Sequence, residues 1–266
     1  MENKYFIEDF HIDVNRDTVF NMLDCFEDSP VYEEVCDAFE ERKPWFYAHV
    51  RPRAVLAWEP WSKTLRQELD ADADTAADRK EAAAAGRTEA ADATAGQTED
   101  DAAVGRAVDC GAETGAEADV AAGAPFAGLM YLLMTLGPEV EAESGRCFAT
   151  GDYLEGMLLD AMADDYLFQM EDKVSEEMRL LCGRIGMGIQ KRMEAPQDFP
   201  MAFHRRVLQV CGVASLWDMS LSSGDMFAPV KTSCVVFGLT KDVHIFRAQH
   251  DCSHCPAVNC KMRAAV

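Results

Sequence analysis

Residues 126–136 read FAGLMYLLMTL, a continuous apolar run that Gly137-Pro138 ends. The length of this run suits a buried β-strand better than a helix. The next long pattern, over residues 153–182, is helical, with Gly183 and Gly186 at its end. Its apolar face is formed by Leu154, Met157, Leu158, Ala161 and Met162. One buried strand beside one long amphipathic helix is the core from which the rest of the fold is predicted.

Shorter patterns on both sides of this core predict further elements. Asn15 or Asp17 can cap a helix through Leu23, and Ser29-Pro30 supplies a cap followed by proline for a second helix. Strands are predicted at residues 54–58, 188–194 and 233–239, and a helix at residues 200–211. This order predicts an α+β fold in which helices pack on a mostly antiparallel sheet.

The charge balance of the chain argues against two classes of partner. The 266 residues carry a formal net charge of −22. Nucleic acids are bound through Lys and Arg side chains that release counterions, and anionic membranes attract basic segments. The acidic N-terminus lacks the pattern of a signal peptide, and the most apolar run is too short to span a bilayer. We therefore expect a cytoplasmic protein without a nucleic-acid or membrane partner.

A change of composition divides the chain into four parts. Residues 71–124 contain 13 acidic and 4 basic residues and no Leu, Ile or aromatic residue. Such a segment cannot bury enough apolar surface to offset the entropy of ordering. The sequence thus predicts an acidic, Ala-rich disordered insertion over residues 70–124, inside one domain formed by residues 1–69 and 125–249. Residues 250–266 form a Cys-rich tail.

The tail contains the sharpest chemical motif of the chain. Of ten cysteines, Cys252, Cys255 and Cys260 are clustered, with a two-residue gap that lets two thiolates reach one ion. Thiolates suit an iron–sulfur cluster or zinc, and both assignments stay open, with the cluster preferred. Candidates for the fourth ligand are Cys234, His250, His254 and an external group. The scattered cysteines are interpreted as small buried apolar residues.

Two further segments have features of a ligand site. In residues 188–201, GIQKRMEAPQDFPM, a strand leads through a Pro-rich loop to a helix, and Arg192 can bind a carboxylate with its planar guanidinium. An ordinary Arg–Glu pair is the alternative. In residues 223–234, a Gly turn and a Pro precede a strand that starts with small hydroxyl residues.

Asp160 and Asp164 share one face of the long helix. They can be a pair for metal binding or acid–base chemistry, or they can belong to a solvated surface.

Together, these segments resemble the activation domain of cobalamin (vitamin B12)-dependent methionine synthase, in its small free-standing form. Residues 151–170 resemble that family's long helix, residues 188–201 its ligand loop, and residues 223–263 its last strand with a cysteine signature. The N-terminal residues 14–35 fit the same form. Pro196-Gln197-Asp198 stands where the family has Pro-Gly-Tyr, so the loop departs from the family pattern.

The resemblance implies a fold, a ligand and a partner. It implies an activation-domain-like α+β fold and a site for S-adenosylmethionine. The ligand residues would be Arg192, Glu194 and Pro196 in the loop, and Lys231, Thr232 and Ser233 at the start of the last strand. The implied role is that of an accessory protein for reductive activation of a corrinoid methyltransferase, with cobalamin held by the partner protein. Two alternatives stay open: an iron–sulfur redox protein without the S-adenosylmethionine site, and a zinc-stapled interaction module.

Overall fold

The computed structural model describes residues 3–70, 126–250 and 260, and its elements follow the predicted order. The strands are β1 (Lys4–Ile7), β2 (Arg53–Pro60), β3 (Gly128–Thr135), β4 (Gly188–Met193), β5 (Ser220–Leu221), β6 (Phe227–Ala228) and β7 (Thr232–Thr240). The helices are α1 (Arg16–Met22), α2 (Tyr32–His49), α3 (Lys63–Asp70), α4 (Glu139–Thr150), α5 (Tyr153–Ile185) and α6 (His204–Cys211). The predicted α+β class is confirmed.

The centre of the fold is a five-stranded sheet in the order β1-β2-β3-β7-β4. Every pair of neighbouring strands is antiparallel, and one isolated parallel bridge joins Ile189 to Phe246. β3, predicted from the apolar run, lies in the middle of the sheet and is buried at every position. β5 and β6 form a separate two-stranded hairpin.

Both faces of the sheet are covered, which explains why β3 is apolar throughout rather than alternating. Met130, Leu132 and Met134 point into a core formed with α1, α2, α4 and α5. Leu129, Tyr131 and Leu133 point into a second core with α3, α6 and the β5–β6 hairpin. We call these two sides the α5 face and the α6 face.

The long helix α5 spans 33 residues and ends at Ile185, where Gly186 adopts a left-handed conformation with φ of 68°. Glycine has no Cβ to clash in this conformation, so it ends the helix without strain. Gly183, predicted to share this role, lies inside the helix instead. Near the other end of the helix, Ser144 Oγ of α4 donates a hydrogen bond to Gly156 O at 3.0 Å and fixes the two helices together.

Two predicted helix starts were wrong by a few residues. Helix α2 begins at Tyr32, with Val31 at the cap position and no side-chain cap. The reason is a turn before it, in which Ser29 O accepts from Tyr32 N and Ser29 N donates to Phe26 O. The helix predicted from Pro200 is divided into a short 3-10 turn over Met201–Phe203 and α6. The Asn15 cap of α1 is confirmed, because its side chain accepts from Thr18 N at 3.1 Å.

β2 and β3 are adjacent in the sheet although the predicted insertion lies between them in sequence. Pro60 is opposite Gly128, and Trp61 N donates to Ala127 O at 3.2 Å. The rings of Trp61 and Phe126 meet edge to face. The insertion itself falls outside the described residues. Among the helices of the described part, none has the length and apolar character needed to cross a membrane.

Candidate binding site on the α5 face

The ladder between β4 and β7 leaves the beginning of β7 unpaired. β4 pairs with β7 from Gly188 opposite Thr240 to Met193 opposite Val236, and β7 begins four residues before that point, at Thr232. Over the described ranges, no strand pairs with residues 232–235 on the β4 side of β7. This stretch, which we call the open edge, has a cation at each end: Lys231, which is buried, and Arg192, whose side chain is 13% exposed.

At one end of the open edge, Lys231 is held by two carboxylates of α5. Lys231 Nζ lies 2.8 Å from Asp160 Oδ1 and 2.6 Å from Asp164 Oδ1. Burial alone would lower the pKa of Lys231, but the hydrogen bonds to Asp160 and Asp164 outweigh it and raise the pKa. Lys231 is therefore a charged side chain with only 9% exposure. The two aspartates are therefore ion-paired with Lys231, and their side chains stay 52% and 42% exposed.

At the other end of the open edge, Arg192 lies between two glutamates. Its guanidinium donates to both carboxylate oxygens of Glu171 on α5 and to Glu194 Oε1 at 2.5 Å. Burial opposes the charge of Arg192, but the hydrogen bonds to Glu171 and Glu194 raise its pKa. The Arg–Glu pair, which was the alternative to a ligand site, is thus present, but as a mostly buried cluster of one cation and two anions, which we call the Arg192 cluster.

The Arg192 cluster also holds the segment that follows β7. Arg192 Nη1 donates to Ala248 O at 3.1 Å. Ile189 N donates to Ile245 O at 2.8 Å, Arg247 N donates to Ile189 O at 2.9 Å, and the Arg179 guanidinium lies 4.0 Å from the centre of the Phe246 ring. Residues 245–248, the strap, therefore run along the outer edge of β4 and bring the chain to His250, whose Nδ1 lies 3.4 Å from Glu194 Oε1.

The loop after β4 is closed by the aspartate that departs from the family pattern. Asp198 Oδ2 accepts from Glu194 N at 3.0 Å, and Asp198 Oδ1 lies 2.8 Å from Lys191 Nζ. Pro196 follows a cis peptide bond within this loop. Asp198 thus fixes the loop from within, and it does so immediately beside the Arg192 cluster.

Thr232, Ser233 and Cys234, the residues predicted at the start of β7, have different surroundings. Thr232 Oγ1 donates to Pro229 O at 2.7 Å and lies 3.0 Å from Thr135 Oγ1, so it stabilises the turn before the strand. Ser233 is opposite Met134 of β3 in the ladder and is partly exposed. Cys234 packs in the core of the α6 face, so it lies on the opposite side of the sheet from Val235 and Phe237.

The predicted metal ligands are only partly within the described residues. Cys252, Cys255 and His254 lie outside them, and Cys260 is in a loop and partly buried. Burial raises the pKa of the Cys234 thiol well above its ordinary value, and the neighbouring Cys211 and Glu194 raise it further. In the part of the chain that can be described, no group of three or more His, Cys, Asp or Glu side chains is placed to hold a metal ion.

Glu171 is the site residue that the sequence interpretation missed. It lies seven residues after Asp164 and eleven after Asp160, spacings that place all three side chains on one face of α5. Extending the Asp160–Asp164 pattern by two turns would have found it. The missing information was the identity of the partners, because Lys231 is 67 residues from Asp164 and Arg192 is 21 residues from Glu171, so neither pair follows from helical spacing.

Comparisons with known proteins give likenesses to solved structures. No family model matches the sequence, and no curated protein matches it. Among solved structures, one described as the MetH reactivation domain bound to AdoHcy is similar, at a TM-score of 0.48 and 12% sequence identity. The likeness covers 91% of this chain and 79% of that chain. The case for a function accordingly rests on the residues of this chain.

Proposed function

We propose that this chain is an accessory protein that binds S-adenosylmethionine and serves the reductive activation of a cobalamin-dependent methyltransferase. The observation that carries the proposal is the Arg192 cluster. The ligand loop and the last strand are two of the three segments that carry the resemblance to the activation domain, and β4 and β7, which they contain, are neighbours in the sheet. Arg192 of the first segment and Lys231 of the second both bind carboxylates of α5.

The charges of the Arg192 cluster complement those of the ligand. S-adenosylmethionine has one carboxylate, one ammonium and one sulfonium group, which gives it a net charge of +1. The cluster has one guanidinium and two carboxylates, which gives it a net charge of −1. The ligand carboxylate would pair with Arg192 in the planar, two-point manner of guanidinium–carboxylate pairs, and its cationic groups would pair with Glu171 or Glu194.

Binding would require a rearrangement within the cluster. A guanidinium has five N–H donors, and Arg192 already makes four hydrogen bonds. One glutamate must therefore move off Arg192 before a carboxylate can bind with two hydrogen bonds. Glu194 is the better candidate, because its carboxylate is more exposed than that of Glu171, at 36% against 22%.

The tail is proposed to hold a metal centre near this site. The ligands would be Cys252, Cys255 and Cys260, with Cys234, His250, His254 or an external group in the fourth position, and the centre would be an iron–sulfur cluster or zinc. The raised pKa of Cys234 disfavours a free thiolate there, and a bound cation would reverse this preference. A cluster would supply electron transfer to a corrinoid partner. Zinc would fix the tail and leave the electrons to another protein.

A second candidate function has its own support. Three of the five N–H groups of Arg192 already donate to carboxylates of the chain itself, and Asp198, where the family has tyrosine, ties the loop to Lys191. Both features suit a protein that keeps the fold and the metal tail but has lost the S-adenosylmethionine site. Such a protein would be an iron–sulfur redox protein that does not bind the methyl donor.

Calorimetric titration of anaerobically prepared protein with S-adenosylmethionine separates the two functions. The accessory function predicts saturable binding that Arg192→Ala weakens by about 10- to 150-fold, the cost of losing a hydrogen bond to a charged group. Arg192→Lys should restore it only in part, because lysine lacks the planar fork. Arg146→Ala is the control, since Arg146 forms an exposed pair with Glu143. Absence of binding by the parent protein would favour the redox protein.

The visible spectrum and metal content of the same preparation test the tail. An iron–sulfur cluster gives broad absorption that bleaches on reduction, whereas zinc gives a colourless protein. Replacing Cys252, Cys255 or Cys260 with serine should release the metal, while Cys36→Ser should keep it. A triple-serine variant that retains full metal content would contradict the tail as the site.

A further inference from the structure

Phe168 is a large aromatic side chain on the exposed side of α5. It is 47% exposed, although the helix around it is buried at Ala163, Asp165, Tyr166 and Met170. A single exposed apolar residue needs no explanation by itself. Phe168 is unusual because the residues before and after it on the same side of the helix form ion pairs.

Phe168 lies between the two cations of the site. It is four residues after Asp164 and three before Glu171, so the three side chains lie along one side of the helix. Asp164 binds Lys231 and Glu171 binds Arg192. From Asp164 to Glu171 the helix rises by about 10 Å, at ~1.5 Å per residue. The turn that contains Phe168 therefore spans the gap between the two ion pairs.

The helix turn that contains Phe168 lies opposite the part of the sheet in which β7 has its open edge. Lys231 immediately precedes residues 232–235, and Arg192 is opposite Phe237, just beyond them. A helix turn fixed at both ends to these cations must run alongside the open edge. Ser233, which is small and partly exposed, lies on that stretch. Phe168 thus lies on a helix turn that is close to a stretch of backbone without a strand beside it on the β4 side, within the residues described.

We propose that Phe168 is a stacking platform for the purine base of the ligand whose amino-acid end binds at the Arg192 cluster. This rests on the proposed function and adds the adenine site to it. A flat base that enters from the Arg192 end would lie between the Phe168 ring and the open edge of β7. Backbone N–H and C=O groups that point to the β4 side and have no strand opposite them can bind the polar edge of a base. The ring binds its face, as aromatic side chains do in base recognition.

Phe168 and the Arg192 cluster would bind different ends of the ligand. The cluster binds the charged amino-acid end, and Phe168 binds the uncharged aromatic end. Removing the ring should therefore weaken nucleoside ligands and leave amino-acid ligands unaffected. A residue that only stabilises the helix would not discriminate between the two.

The experiment compares three ligands on the parent protein and on Phe168→Ala, by calorimetry and by competition. The dissociation constants for S-adenosylmethionine and adenosine should rise by about 5- to 150-fold, the range for loss of one base–aromatic stack. The inhibition constant of L-methionine should not change. Phe168→Tyr should retain the parent affinity, because it keeps the ring. Leu180→Ala, on the same helix and 60% exposed, is the matched control and should change nothing.

The outcomes distinguish a failure of the stacking proposal from a failure of the proposed function. If the parent binds S-adenosylmethionine and Phe168→Ala binds it equally well, the platform is wrong and the proposed function stands. If Phe168→Ala weakens L-methionine as much as adenosine, the residue acts through the fold and not by stacking. If the parent binds neither S-adenosylmethionine nor adenosine, both the platform and the proposed function fail.

Discussion

Asp165 is an acid that the α5 face holds in its interior. Only 2% of the residue is exposed, and its Oδ2 accepts from Asn15 N and from Gln169 Nε2, each at 2.7 Å. These hydrogen bonds tie the start of α1 to the middle of α5. Burial nevertheless raises the pKa of Asp165 above its ordinary value, because desolvation outweighs the hydrogen bonds. The ionised form of this side chain thus costs folding free energy.

Asp165→Asn should change how stability depends on pH. A carboxyl whose pKa is raised by folding is harder to ionise in the folded than in the unfolded state, so it destabilises the fold once the pH exceeds the unfolded value of about 4. As the pH rises from there through the raised pKa, the parent should lose stability relative to Asp165→Asn, whose Oδ1 can accept both hydrogen bonds. Urea unfolding at a series of pH values measures the difference. A parent that gains stability relative to the variant would contradict it.

At the scale of elements, patterns that depend on neighbouring residues were predictable and contacts between distant segments were not. β3, α5 and β7 follow from local apolar runs and helical spacing, and the structure confirms them. The aspartates of α5 were recognised as a pair from their spacing. Their partner Lys231 was not, because a cation brought close by folding leaves no local signal. The strap was missed for the same reason, since its hydrogen bonds join residues more than fifty positions apart.

Gly188 of β4 packs against the backbone of the strap and of the residues just before it. A Cβ at this position would lie 2.0 Å from Asp242 O and 2.5 Å from Ile245 O, both of which are backbone atoms. Gly188→Ala should therefore push the strap from β4 and destabilise the protein by about 1–3 kcal/mol, the usual cost of overpacking. Trypsin cleavage after Lys241 or Arg247 should become faster, because both residues are exposed and lie beside or within the strap.

Gly183 offers the matched control for this substitution. It lies inside α5, and no atom lies within 4 Å of a Cβ built there. Gly183→Ala should stabilise the protein by about 0.5–1 kcal/mol through helix propensity alone, with unchanged cleavage of the strap. Equal melting temperatures for the Gly188→Ala variant and the parent would show that the strap is not held closely at this point.

At the scale of the whole molecule, the acidic insertion is predicted to be dispensable for folding. Pro60 and Gly128 are neighbours in the sheet, so the segment between them leaves and returns at one place. Replacing residues 72–122 with about eight Gly and Ser residues should keep the fold. A flexible linker of that length averages about 16 Å, enough to span the roughly 12 Å of α3. The melting temperature should stay within a few degrees of the parent value. An insoluble variant would show that the insertion belongs to the core.

The two faces of the sheet have different roles in this account. The α6 face contains Cys211 and Cys234 in a second core, and burial raises the pKa of both thiols. The α5 face has the two cations, the open edge of β7 and the strap that leads to the cysteine tail. We therefore propose that S-adenosylmethionine and the methyltransferase partner both bind at the α5 face. There, the reactive end of S-adenosylmethionine would be near the surface of the protein.

The most direct test of the central claim is a remethylation assay. A cobalamin-dependent methyltransferase without its own activation domain is oxidised to the inactive cobalamin state and mixed with this protein, S-adenosylmethionine and a chemical one-electron reductant. We expect the visible spectrum to return to that of the methylated cobalamin, S-adenosylhomocysteine to form in equal amount, and Arg192→Ala to abolish most of the rate. The same slow recovery with and without this protein, under conditions in which it binds S-adenosylmethionine, would contradict the proposed function.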